Sequence, residues 1–245
     1  MNNWVVKLYP STKFLFLLIL IILSIFVPGY KFQYLVLLFI LIVSLLSNSL
    51  KGFLSVFFKS IFIIVLFLFI IQTYIVPNSD SIQLVGFIHF SSTGLNDSLN
   101  MTSKIIAISS SIIWFFQVTS IKDIIFALER IGAPRKVTFI IASTIQLVPQ
   151  MTSLSKTITD AQKSRGIETE GDILIRAKAF IPMIGPLVLS SIQQTEERVL
   201  ALESRAFSSN VRKTSIYTIK KSKLDYILDI LLFAVFIGYF VRRFI

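Results

Sequence analysis

Long apolar runs alternate with polar segments along most of the chain. Five of these runs contain few charged residues: Phe14–Pro28, Phe32–Ser47, Phe53–Val76, Ile105–Ile121 and Tyr226–Val241. A helix that crosses a bilayer needs about 20 predominantly apolar residues, and flanking residues complete the shorter runs. The pattern therefore predicts an all-α integral membrane protein with about five transmembrane helices.

The positions of lysine and arginine predict which loops face the cytoplasm. Residues 77–100 contain no Lys or Arg, whereas the N-terminus, residues 48–59 and residues 122–223 are basic. Because cytoplasmic loops carry an excess of Lys and Arg, we expect the basic segments inside and residues 77–100 outside. Five spans then place the C-terminus outside, although Arg242 and Arg243 favour the opposite side.

A different pattern occupies the basic segment. Two apolar runs of about 13 residues, short for a span, are each followed by a polar helix-forming stretch. The runs are Val137–Pro149 and Ala179–Ile192, and the stretches are Gln150–Arg165 and Gln193–Arg205. This predicts a coupling domain of two long helices, each apolar first and polar at its C-terminal tip.

The expected domain order follows from these two patterns. A four-helix membrane domain spans residues 1–121, the two-helix domain spans 122–223, and a last transmembrane helix spans 224–245. Within the second apolar run, Pro182, Gly185 and Pro186 are expected to kink or break the helix, which makes them a candidate hinge.

Composition supports a membrane protein and argues against several functions. Hydrophobic residues make up 54% and charged residues only 15%, against about 25% charged in soluble domains. The net charge of +11 lies mainly beside predicted spans, so it indicates cytoplasmic loops rather than nucleic-acid binding. With no cysteine and one histidine, His89, we predict no metal site. We also find no catalytic constellation, and predict a non-enzyme.

One short motif occurs twice in the basic segment. The sequences are AQKSRGI at Ala161–Ile167 and ALESRAF at Ala201–Phe207. A cation at a helix C-terminus interacts favourably with the helix dipole, and Gly166 suits the left-handed position after a helix. Ala206 is expected to cap poorly, so capping explains the second copy badly. Small residues beside an arginine also allow a helix end to enter a groove closely while the guanidinium binds a carboxylate or carbonyls.

These residues resemble a known family, the T component of energy-coupling factor (ECF) transporters of the CbiQ/EcfT type. The motifs Ser164-Arg165-Gly166 and Ser204-Arg205-Ala206 are similar to the two Ala-Arg-Gly signatures of that family, with small-for-small replacements. The resemblance covers most of the chain and includes Leu8–Lys13, Gly94-Leu95, Val118–Ser120 and Leu128–Pro134, of which the first two are weak signals alone.

The resemblance implies a coupling role. Arg165 and Arg205 would dock on two cytoplasmic ATP-binding-cassette (ABC) ATPases, and the apolar surfaces would act on a small membrane subunit (S subunit) that captures a vitamin, a vitamin precursor, cobalt or nickel. ATP and Mg²⁺ would bind to the ATPases, since this chain has no G-x-x-x-x-G-K-[ST] loop. Which arginine binds which ATPase, and whether one or several S subunits are served, stay open.

Two alternatives belong to other functional classes. A self-contained permease or channel would line several spans with polar groups at mid-depth, and the first three predicted spans contain few. A membrane scaffold would use the same two helices to bind proteins other than ATPases. The chains that co-purify with this one distinguish these alternatives from the coupling role.

Overall fold

The computed structural model describes residues 5–6, 8–76, 82–85, 88–168, 171–209 and 219–244, without the side chains of 82–85, 88–90, 135 and 244. The chain divides into two compact units. One unit comprises Met1–Ala127 with Thr218–Ile245, and the other comprises Leu128–Tyr217.

The first unit is built from membrane-type helices. In chain order its elements are α1 (Pro10–Phe26), α2 (Lys31–Leu46), α3 (Leu50–Val56), a π-helical turn (Phe57–Ile61), α4 (Phe62–Tyr74), β1 (Ile82–Val85), β2 (Ile88–Phe90), α5 (Ser92–Val118) and α9 (Lys223–Phe244). Helix α3, the π turn and α4 run on as one segment, Leu50–Tyr74. The boundary between the units falls inside α6 (Ile121–Ile131).

The polar segment before α5 differs from the simple loop predicted for it. It contains an antiparallel hairpin in which Gln83 of β1 pairs with His89 of β2. The sequence pattern predicts a fourth span from Ile105, but α5 begins at Ser92. The Ser91 hydroxyl accepts a hydrogen bond from the Gly94 amide at 3.0 Å, which satisfies a free amide of the first turn. The polar residues that follow are therefore helical too.

Helix α5 is the centre of the first unit and packs against α1, α2 and α4. Its buried side recurs every four residues and is rich in small residues: Gly94, Ser98, Thr102, Ser103, Ala107, Ser110 and Ser111. The hydroxyls of Ser110 and Ser111 both donate to the Ala107 carbonyl, at 3.0 and 2.7 Å. Small side chains let neighbouring helices approach closely in a membrane, so α5 is a packing helix.

Two buried charged residues fix the start of α1. The Lys13 ammonium donates to the carbonyls of Val6 at 2.6 Å and Val118 at 3.2 Å. The Asp225 carboxylate accepts from the backbone amides of Tyr9 at 2.9 Å and Ser222 at 2.7 Å. Since Lys13 and Asp225 are each only 1% exposed, these bonds tie α1 to the end of α5 and the start of α9.

Five helices are long and apolar enough to cross a membrane, among the residues the structure describes: Leu50–Tyr74, Ser92–Val118, Lys136–Ser164, Ile173–Ser204 and Lys223–Arg243. This set differs from the five predicted spans in two ways. Lys136–Ser164 and Ile173–Ser204, whose apolar runs were expected to be too short, qualify as whole helices, and helices α1 and α2 have only 17 and 16 residues. Such helices reach roughly 25 Å, slightly less than a hydrocarbon core of about 30 Å. The architecture is that of a multi-pass membrane protein.

The second unit contains two long helices, α7 (Arg135–Ser164) and α8 (Ile173–Ser204). Near the end of α7, Gln162 bonds to Pro182 in the first half of α8. Nearer the start of α7, Gln150 bonds to Arg198 close to the end of α8. Two such contacts make the helices antiparallel. Each predicted apolar run and polar stretch is thus one continuous helix, as expected.

The close packing of α5 predicts that a larger side chain at one of its buried positions destabilises the protein. We expect Ala107→Leu, at a fully buried position, to lower the free energy of unfolding by about 1–3 kcal/mol, because an overpacked core shifts side chains and backbone. The thermal unfolding midpoint of the purified chain in detergent measures this. The matched control is Ala234→Leu on the exposed face of α9, and equal midpoints for the two variants would contradict the packing role.

Candidate functional site

The first arginine tip is the C-terminus of α7, where the chain reverses through a Schellman motif. Gly166 has a positive φ of 85°. Its amide donates to the Lys163 carbonyl at 2.9 Å, and the Ile167 amide donates to the Gln162 carbonyl at 3.1 Å. These are the two bonds that define the motif. Arg165 is the last residue before the left-handed glycine, so its side chain leaves from the very end of the helix.

The second arginine tip repeats this geometry at the end of α8. Ala206 has a φ of 56°. Its amide donates to the Glu203 carbonyl at 2.9 Å, and the Phe207 amide donates to the Leu202 carbonyl at 3.0 Å. Arg205 therefore occupies the same position in its cap as Arg165 does in the first. The repeated sequence motif is a repeated structural motif.

The cap at Ala206 corrects one expectation from the sequence. Ala206 was expected to cap poorly, yet it adopts the left-handed conformation that Gly166 adopts at the first tip. For a residue with a Cβ this conformation costs roughly 1–2 kcal/mol. The two cap bonds and the packing of Phe207 against Phe139, with ring centroids 4.7 Å apart, hold it in place. Strain of this kind persists only where the surroundings determine the conformation.

The motif residues are all exposed, and their polar groups are arranged alike. Ser164, Arg165, Gly166, Ser204, Arg205 and Ala206 lie on the surface. The Ser164 hydroxyl donates back to the Asp160 carbonyl at 3.1 Å, and the Ser204 hydroxyl to the Ala201 carbonyl at 3.0 Å. Within the described part of the chain neither guanidinium has a hydrogen-bond or ion-pair partner. Both guanidinium groups can bind a partner.

The two tips lie at opposite ends of the helix pair. Phe207, just after the second tip, packs against Phe139 near the start of α7, while Arg165 follows the end of α7. Phe139 and Arg165 are 26 positions apart in the sequence, and a rise of 1.5 Å per residue places them roughly 40 Å apart. The structure therefore presents two similar arginine tips that are too distant to share one small site.

The candidate hinge lies within a continuous helix. Helix α8 runs from Ile173 to Ser204 through both Pro182 and Pro186, and α7 runs through Pro149. A side chain added at Gly185 would meet open space, so packing does not require a glycine there. The hinge stays a prediction.

Sequence reasoning missed one residue of this region, Gln162. Its side chain is 6% exposed, and its amide nitrogen donates to the Pro182 carbonyl at 3.2 Å. The signal available in the sequence was a polar residue four positions after Ile158, on the side of α7 that is buried against α8. Among the described residues, no group of three His, Cys, Asp or Glu side chains is placed to hold a metal ion.

Comparisons with known proteins agree on one family. The family model CbiQ, described as a cobalt transport protein, matches residues 1–216. A relative from Staphylococcus aureus (strain 04-02981) is 28% identical over 99% of this chain and 94% of its own length. A relative from Ruminiclostridium cellulolyticum is 25% identical over 91% of this chain and 87% of its own length. Both are named energy-coupling factor transporter transmembrane protein EcfT.

The paired caps predict opposite effects of glycine and alanine at the two tips. We expect Ala206→Gly to raise the thermal unfolding midpoint, because glycine removes about 1 kcal/mol of left-handed strain. Gly166→Ala should lower it by a similar free energy. Ala201→Gly, an exposed position one turn earlier in α8, is the control and should destabilise by about 0.5–1 kcal/mol. If Ala206→Gly destabilised the protein as much as the control does, the left-handed conformation assigned to Ala206 would be contradicted.

Proposed function

The chain belongs to the CbiQ/EcfT family of transmembrane components of energy-coupling factor transporters, and we propose that it couples ATP hydrolysis by two partner ATPases to micronutrient uptake. In this proposal the second unit is a cytoplasmic coupling domain. Its two arginine tips dock on two ABC-type ATPase subunits, which bind ATP and Mg²⁺. The chain itself is not catalytic.

The observation that carries the proposal is the pair of identical caps. Each tip presents one arginine without a described partner, flanked by exposed small residues that let a groove close around the helix end. A planar guanidinium binds a carboxylate with two parallel hydrogen bonds, and its donors also bind backbone carbonyls. Two copies of one tip, at opposite ends of an antiparallel pair, fit two similar receptors side by side. A pair of related ATPases provides such receptors.

The apolar faces of α7 and α8 support a membrane partner. Large aliphatic side chains that are 61–71% exposed lie along both helices: Ile140, Val148, Ile181, Leu189 and Leu200. An exposed apolar surface of this extent is typical of a protein–protein or membrane contact. We propose that a small substrate-binding S subunit packs on it, next to lipid, so that movement of the tips is transmitted to that subunit.

The polar groups of the first unit argue against a self-contained permease. The buried polar residues of α1 and α2 lie in the end turns of these helices: Thr12, Lys13, Ser24, Gln33 and Ser44. The buried hydroxyls of α5 bond to carbonyls of their own helix. A substrate path needs polar groups that face a channel at mid-depth. The chain thus lacks, in its described part, the lining that the alternative requires.

The docking role predicts what happens when the arginines are removed. We expect Arg165→Ala or Arg205→Ala alone to weaken ATPase binding by about 30-fold, the effect of losing a central interface arginine worth about 2 kcal/mol. Together they should abolish ATPase retention and uptake while the chain stays in the membrane. Pull-down of the tagged chain with mass spectrometry, together with uptake in cells, measures both effects.

Two further variants control this experiment. Lys156→Ala removes an exposed charge from the side of α7 and should leave retention unchanged. Arg165→Lys keeps the charge but loses the planar fork, so it should bind more weakly than the native chain. Full retention of two ATPases by the double alanine variant would refute the docking role, and capture of other proteins alone would favour a scaffold.

A further inference from the structure

Helix α8 contains a proline pair that removes two amide donors, and the second proline leaves the carbonyl of Pro182 without its normal partner. In an α-helix the carbonyl of residue 182 accepts from the amide of residue 186. Residue 186 is proline, which has no amide hydrogen, and α8 is nevertheless continuous across this turn. The Pro182 carbonyl must therefore find a donor elsewhere.

Gln162 of the neighbouring helix supplies that donor. Its side-chain nitrogen lies 3.2 Å from the Pro182 carbonyl oxygen, and its side chain is 6% exposed. The contact lies in a tightly packed stretch of the α7–α8 pair, where Ile158 and Ala179 are also buried. The bond itself is partly buried, and a carbonyl left without a donor away from water is costly. The Gln162 amide thus replaces a bond that α8 cannot make for itself.

Gln162 is also part of the first arginine tip. Its own carbonyl accepts hydrogen bonds from the amides of Arg165 and Ile167, each at 3.1 Å. Gln162 therefore makes two kinds of contact. Its backbone belongs to the cap that positions Arg165, and its side chain bonds to the proline pair of α8.

The second tip is built differently. Leu202 occupies the cap position that Gln162 has in the first tip, and its side chain has no hydrogen-bond donor. The second tip is held instead by the packing of the Phe207 ring against the Phe139 ring. The two tips share a backbone motif but differ in the side-chain contacts that hold it.

We propose that Gln162 is a positioning residue that transmits displacement of the Arg165 tip to the proline pair of α8. This rests on the proposed coupling function. When an ATPase moves Arg165, the cap moves the Gln162 backbone, and the side-chain bond carries that movement to the Pro182 carbonyl. The two prolines remove internal hydrogen bonds from this part of α8, so it bends more easily than the rest of the helix.

The first experiment tests the hydrogen bond without any partner protein. Hydrogen exchange is measured on α8 amides just after Pro186, in the full chain in detergent. Gln162→Met keeps the length of the side chain but removes the donor, and should speed their exchange about two- to tenfold, the range for one lost hydrogen bond. Adding Pro186→Ala restores the internal donor, so Gln162→Met should have no effect in that background.

The control for this experiment is Gln193→Met, the same substitution at an exposed position of α8. It should leave exchange unchanged. If Gln162→Met does not speed exchange, or speeds it equally with and without Pro186→Ala, the hydrogen bond does not do what we propose.

The second experiment separates transmission from simple stability. In the complex with both ATPases and the S subunit, Gln162→Met should retain the ATPases but transport about two- to tenfold less substrate per ATP hydrolysed. Pro186→Ala should not restore this ratio, because it repairs α8 without reconnecting the tip. Normal uptake in Gln162→Met would overturn the proposal. So would a double variant, Gln162→Met with Pro186→Ala, that transports as much substrate per ATP as Pro186→Ala alone. Loss of ATPase binding in the arginine variants, measured in parallel, tests the docking role separately.

Discussion

Every backbone carbonyl and amide of a helix needs a hydrogen-bond partner. At the ends of α7 and α8, and at the prolines of α8, the helix cannot supply all of these partners itself, and the proposed functional features lie at these places. The last turn of a helix leaves carbonyls unpaired. In α7 and α8 two bonds per cap reverse the chain and expose an arginine at the end of each helix. Within α8 a proline creates the same need, and a side chain of α7 meets it.

The antiparallel pairing of α7 and α8 determines where the two arginine tips lie. Because each helix ends beside the start of the other, the two arginines lie roughly 40 Å apart rather than side by side. Each polar tip then lies beside the more apolar half of the other helix. In the proposed function the same pair contacts two ATPases through its ends and a membrane protein through its sides.

The sequence predicted the helical membrane architecture and the two long helices, because apolar runs and their polar continuations are local properties of the chain. It also located the repeated arginine motif. It could not predict that Ala206 adopts the left-handed conformation, since that depends on Phe207 packing against a residue 68 positions earlier. The Gln162 bond depends likewise on how two helices align. The start of α5 was misplaced because polar residues can be helical when a cap such as Ser91 begins the helix.

The most direct test of the central claim is cysteine cross-linking, which is clean here because the chain has no cysteine of its own. Single cysteines replace Ser164 and Ser204, next to the two arginines, and react with a short cross-linker in membranes that contain the whole transporter. The account predicts that each position cross-links to an ABC-type ATPase, and that a chain with both cysteines captures two ATPase subunits at once. Cross-links to lipid-embedded chains only, or to no ATPase from either position, would contradict it.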